Sequence, residues 1–194
     1  NSTITINDGS KNIYNFTETL PGTYISNIAF EAKAGESYTL NIITSDGNIY
    51  QSSQEKISGF STISEVLPVI ETNISNEKGI RIYVKSQSPN KDSKYYKFKY
   101  EETFKIIAPR WSPSKLQIDS DTPPHAVSKT VNDIYNEVCY NTRKSNSIIQ
   151  TETASLNNND VNFGMKFIQE KNFTIAHRYA IKVTQYVQSF NAYT

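Results

Sequence analysis

The chain has 194 residues, with 20 Lys plus Arg against 19 Asp plus Glu and a formal net charge of +1. That length allows one large or two small domains. The near-neutral balance argues against a nucleic-acid binder, which needs a basic face; no Lys/Arg run appears, so only a local patch is left open. A lone cysteine, Cys139, excludes an internal disulfide, and no run of 18 apolar residues is present to cross a membrane as a helix. Aromatics make up 12%, mostly 13 Tyr and 9 Phe, and Tyr-rich strands with abundant Asn, Ser and Thr are typical of secreted or surface β-proteins.

Strand signals begin at once and recur at short intervals. Thr3 to Ile6 is followed by the turn Asn7-Asp8-Gly9-Ser10, then by Asn12 to Phe16. Leu20-Pro21-Gly22 turns the chain into Thr23 to Phe30, and Ala34-Gly35 turns it again. The clearest stretch is 35 to 50. Tyr38, Leu40 and Ile42 alternate with Thr39 and Asn41, Ser45-Asp46-Gly47-Asn48 supplies turn chemistry, and Ile49-Tyr50 restarts the apolar run. Residues 1–58 therefore read as most of a small immunoglobulin-like sandwich, incomplete at its N-terminus.

A second β-rich unit, 59–194, follows a joint near residues 56 to 62. Ile57 to Ile74 contains Pro68, which suits an edge strand or a break. Ile80, Ile82 and Val84 alternate, as do Tyr96, Phe98 and Tyr100 after the loop Ser88-Pro89-Asn90-Lys91-Asp92. Residues 108 to 126 carry Pro109, Pro113, Pro123 and Pro124 and predict a long irregular loop. Val127, Val131, Ile134, Tyr135 and Val138 fit helical spacing, which predicts a short helix with Ser128 near its start. Asn157-Asn158-Asn159-Asp160 reads as a loop, and Phe163, Met165 and Phe167 alternate. The longest predicted strand runs from 173 to 186, with Phe173, Ile175, His177, Tyr179, Ile181 and Val183 on its apolar face. Ser189 is a suitable N-cap for a helix that barely begins. The chain does not open with Met and carries no signal peptide, and both ends read as cut from something longer. The fold expected is all-β: two sandwich-like units, with a short helix and a long Pro-rich loop in the second.

Bond-making chemistry finds little support in these residues. The histidines, His125 and His177, are far apart in sequence, and no H-x-x-x-H or C-x-x-C spacing offers a zinc site. Cys139 with His125 as base lacks any supporting motif, so a small buried side chain is the expectation there. Asp119-Ser120-Asp121 lacks the Gly and distal Glu of a calcium loop and reads as a solvated turn. Glu101 and Glu102 are adjacent on a strand and point to opposite faces. No catalytic residue, metal or cofactor is expected. The sequons at Asn15, Asn73 and Asn172 are patterns that arise by chance in an Asn-rich chain. One feature leans towards binding: Pro109-Arg110-Trp111-Ser112-Pro113 holds the lone Trp, and Trp and Arg are enriched at binding hot spots while prolines stiffen a loop. Pro109, Arg110, Trp111 and Pro113 are thus the candidate partner-binding residues, against the alternative that Trp111 folds back as a core plug.

Several blocks in order carry a resemblance over nearly the whole chain: Ile4-Thr5-Ile6-Asn7-Asp8, Gly22-Thr23-Tyr24, Ala34 to Leu40, Asp46 to Tyr50, Tyr95-Tyr96, Cys139-Tyr140, and Arg178 to Tyr186 with Ala192-Tyr193. In these the chain resembles a family of Bacteroidota outer-membrane lipoproteins of unassigned function, usually encoded beside TonB-dependent transporters. Tyr140 stands where a Trp often follows the Cys. The Gly-x-x-Tyr-Thr-Leu hairpin is also similar to carboxypeptidase-regulatory and transthyretin-like sandwiches. The resemblance implies a lipidated N-terminal Cys beyond this chain and a helix running on past Thr194. It implies a cell-surface-facing, lipid-anchored, non-enzymatic accessory subunit of a TonB-dependent transporter, capturing a ligand or capping the barrel. The alternative is a structural subunit of another outer-membrane complex, such as a protein-export or barrel-assembly machinery; a hydrolase is a distant third.

Overall fold

The structure is a computed structural model describing residues 2–88, 93–133, 137–156 and 160–194. It is 58% strand and 4% helix, so the chain is all-β as its composition suggests. The strands are rich in β-branched and aromatic side chains, which pack well on a pleated, half-buried surface.

The first sheet contains β1 (Thr3–Asp8), β2 (Ile13–Leu20), β3 (Thr23–Ser26), β4 (Ser37–Ile43), β5 (Ile49–Gln51) and β6 (Glu55–Lys56). Its order is β3-β2-β1-β4-β5, with β6 also on β4, and every pairing is antiparallel. The β4–β5 hairpin closes where the Asp-Gly signal places it: Gly47 adopts φ +86° and its N–H donates to the Thr44 carbonyl at 2.9 Å. Register puts Ile4, Ile6, Tyr14, Phe16, Leu40 and Ile42 on one face. An arm from the 27–34 segment lies over that face, with Phe30 stacked on Tyr14 at 4.1 Å and edge-on to Phe16 at 6.3 Å. Among the described residues these strands form one sheet.

The second unit stacks two sheets. One holds β7 (Thr62–Thr72), β8 (Lys78–Gln87) and β14 (Val161–Gln169) in the order β14-β8-β7; Pro68 lies on the edge strand β7, where its missing N–H costs no ladder bond. The other is built on β9 (Tyr95–Ile107), flanked by β12 (Val138–Lys144) and β13 (Ile149–Glu152) on one side and β15 (Tyr179–Gln188) on the other. Ile82, Val84, Val161 and Met165 meet Tyr96 and Phe98 in the core between them. A two-stranded hairpin, β10 (Ser114–Ser120) and β11 (Ala126–Val131), forms a sheet of its own.

Four expectations are corrected. Residues 108 to 126 are not one irregular loop: Lys115, Leu116, Gln117 and Ile118 find antiparallel partners in β11, and the cis Pro123–Pro124 bond lies in the connection. The 127–138 segment is no helix among its described residues; Val127 to Val131 belong to β11 and Val138 opens β12, while Ile134 and Tyr135 lie outside the described residues. A β-branched, Thr-containing run favoured a strand over its helical spacing. The last long strand begins at Tyr179, because Asn172 caps a 3-10 turn over Phe173–Ile175 and leaves His177 exposed in the bend that follows. Finally, Phe163, Met165 and Phe167 do not share a face. A bulge at Met165 shifts the register, so Lys166 opposes Ile82 on the inner face while Phe167 opposes Arg81 on the outer one. The short helix that does form is α1 (Phe190–Tyr193), capped by the Ser189 side chain, which accepts from Ala192 N at 3.1 Å.

Candidate interaction surface

Pro109, Arg110 and Pro113 are exposed and Trp111 is half-buried at the neck of the β10–β11 hairpin. Two chain segments brace that neck. Ala108 N donates to the Glu137 carbonyl and Asn132 N to the Pro113 carbonyl, each at 2.9 Å, and the Asn132 side-chain amide donates to the Ser112 carbonyl at 2.9 Å. The Trp111 indole N–H donates to the Asp133 carbonyl at 3.4 Å. Trp111 is therefore set in the base of the hairpin, outside the buried core cluster.

The hairpin itself is the surface that the sequence reading missed. Register places Leu116, Ile118, Val127 and Val131 on one face, with Lys129 opposite Leu116 and Ser114 opposite Val131, and Lys115, Gln117, Ser128 and Thr130 on the other. The four apolar side chains are 57–85% exposed, whereas Ser128 and Thr130 on the polar face are half-buried. This is the reverse of a strand pair folded for its own stability. Isolated two-stranded hairpins are marginal in water, and four exposed apolar side chains gathered on one face, here around Lys129, mark an interaction site more often than a scattered Leu does. The signal was present as Leu116-x-Ile118 and Val127-x-x-x-Val131, but the four prolines of the region masked it.

A second cluster joins the two sheets of the sandwich. Glu102 on β9 is 2% exposed. Its carboxylate accepts from Arg143 Nε on β12 at 2.6 Å, Lys166 Nζ on β14 at 2.5 Å and the Tyr179 hydroxyl on β15 at 2.8 Å. Lys166 also sits 4.1 Å from the Tyr100 ring centroid and Arg143 5.0 Å from that of Phe104. Burial raises the Glu102 carboxyl, but the hydrogen bonds from Lys166, Tyr179 and Arg143 together outweigh it and hold the group below the usual carboxylate range. Burial, then the bond to Glu102, pushes the Tyr179 hydroxyl far up. Near neutral pH Glu102 is thus held as a carboxylate, and the cluster pins one sheet to the other. The bulge at Met165 is what turns Lys166 inward to reach it.

Other candidates stay apart. Cys139 is exposed on β12, not buried as expected, because its neighbours Val138 and Ile106 lie where the strand runs beyond the core. His125 is exposed in the β10–β11 connection, and no hydrogen bond among the described residues joins it to Cys139. Asp119 accepts from Ser128 Oγ at 3.0 Å in the hairpin. No group of three or more His, Cys, Asp or Glu among the described residues is placed to hold a metal. Asn73 and Asn172 act locally: the Asn73 side chain accepts from Ser75 N and Glu77 N, and that of Asn172 from Thr174 N.

Fold and surfaces define an all-β, sandwich-based protein whose exposed apolar face is carried on a separate hairpin. The chain belongs to the family described as Domain of unknown function (DUF4249), which matches it over residues 1–194. No curated protein and no solved structure matches it.

Proposed function

We propose that the protein is a non-enzymatic accessory lipoprotein of the outer membrane that docks on a TonB-dependent transporter through the β10–β11 hairpin and its Arg110–Trp111 neck. The observation that carries this reading is the exposed face of Leu116, Ile118, Val127 and Val131 on an element that gains little by forming alone. The resemblance of the N-terminal and C-terminal blocks supplies the barrel as partner. An apolar docking face serves equally a structural subunit of a protein-export or barrel-assembly complex, so the identity of the barrel decides between them. Affinity purification of the lipidated protein from detergent-solubilised membranes tests this. A TonB-dependent barrel in stoichiometric amount is the expected result; an export or assembly barrel selects the second reading, and no barrel at all refutes both.

A further inference from the structure

The outer face of the β9 sheet carries lysines that fold-level pairing brings together although no run of them exists in the sequence. Residues of β9 alternate, with Tyr96, Phe98, Tyr100, Glu102 and Phe104 inward. Lys97, Lys99 and Lys105 therefore point outward. Register sets Lys144 of β12 and Lys182 of β15 on either side of Glu101, Tyr186 beside Lys97, and Tyr140 beside Lys105. Among the described residues none of these five lysines forms an ion pair. The outer face of the other sheet is the internal contrast: there Lys85 pairs with Glu65 at 2.9 Å and Arg81 pairs with Glu71. The second acidic residue on the lysine face, Glu152, already accepts from the backbone N–H groups of Ala154 and Ser155. Tyr140 and Tyr186 remain 59% and 46% exposed among the lysines, and Lys99 Nζ lies 5.7 Å from the Tyr186 ring centroid.

We propose that this face rests on a bilayer surface bearing anionic phospholipid headgroups. The lysines spread in two dimensions: Lys97 and Lys99 stand about 6.8 Å apart along β9, Lys105 about 20 Å further on, and Lys144 and Lys182 about 9.6 Å apart across Glu101. A charged plane meets all of them together, whereas a linear polyanion meets only those along its path. All five are Lys, whose flexible stems bring ammonium groups to a common plane, and none is Arg, whose rigid fork suits recognition of single carboxylates or phosphates. Exposed tyrosines among them fit the headgroup layer, where an amphipathic ring has one wet and one apolar side. The proposal rests on the charge pattern alone and stands whether or not the hairpin docks on a barrel.

Cosedimentation of the 194-residue chain with phosphatidylcholine vesicles, with and without one third phosphatidylglycerol, tests it. Binding to the anionic vesicles only is expected, lost on raising salt from about 0.1 M to about 1 M, where the Debye length shrinks to about 3 Å. A lysine near such a surface strengthens binding roughly fivefold, so Lys99→Gln with Lys182→Gln weakens it roughly 25-fold. Lys78→Gln with Lys85→Gln, an equal change of charge on the other sheet, leaves it within about twofold. An unchanged thermal melt for each pair shows that the fold is intact. Equal binding to neutral vesicles, equal loss from both pairs, or tighter binding to soluble heparin or single-stranded DNA than to the vesicles overturns the proposal.

Discussion

Glu102 shows how far one side chain can set a fold. A carboxylate nearly out of water is tolerable only with its acceptor positions filled, and Arg143, Lys166 and Tyr179 fill them from three other strands. Glu102→Ala leaves two cations facing an emptied site and is expected to cost about 3–5 kcal/mol, the usual consequence of breaking a buried pair; chemical denaturation of wild type and variant measures it. The pH dependence follows from the sign of the shift. The folded carboxyl lies below its ordinary value, so its stabilisation is present above that ordinary value, near 4.5, and is lost as pH falls through the folded value. The gap in melting temperature between wild type and Glu102→Gln is therefore expected to be full at pH 7 and to narrow below about pH 4. A gap constant across that range contradicts the ion-pair account. Alternation placed Glu102 opposite Glu101 in direction, but nothing in the chain announced its partners, which lie 41, 64 and 77 residues away.

At the scale of elements, close approach decides what each strand tolerates. A Cβ on Gly79 of β8 would stand 2.3 Å from the Ile168 carbonyl oxygen of β14. Gly79→Ala therefore forces the two strands apart and is expected to destabilise by about 1–3 kcal/mol, visible as a lower urea midpoint. The hairpin behaves oppositely. Leu116→Ser with Ile118→Ser removes exposed apolar groups, so the melt of the free protein stays within about 0.5 kcal/mol, while a docked complex loses at least about 2 kcal/mol, the threshold of an interface hot spot. Trp111→Ala separates two roles in the same way: a core plug lowers the melt by about 3–5 kcal/mol, and a docking aromatic weakens the complex instead. Trp111 itself is half-buried at the neck, its indole N–H on the Asp133 carbonyl.

These same elements mark what the chain reveals of itself. Clean period-2 runs such as Ile80–Val84 and Tyr96–Tyr100 are strands where alternation puts them, because one face is buried in the core; Tyr38–Ile42 is a strand as well, with no fully buried residue. The prolines around 109–124 hid β10, since proline marks a turn without saying what lies between two turns. The bulge at Met165 was invisible, because a one-residue insertion in register depends on β8, which is far away in sequence. The lysine face was hidden for the same reason: its members become neighbours only when β9 pairs with β12 and β15.

At the scale of the whole molecule, packing is uneven. No described residue of β1 to β6 reaches full burial, and the buried core lies in the sandwich of β8, β9 and β14. Regions with few buried apolar contacts open at low free energy. Amide hydrogen exchange is expected to be fast across residues 3–56 and slow in β8 and in the 96–104 stretch of β9; uniform protection contradicts that division. On the proposed function, the molecule docks on its barrel with the β10–β11 hairpin as the contact. The most direct measurement is photo-crosslinking in membranes from a reactive residue placed at Ile118, compared with one placed at Lys85 on the outer face of β8. A strong adduct to a TonB-dependent barrel from Ile118 and none from Lys85 is the predicted result. Equal adducts from both positions, or none from Ile118, contradicts it.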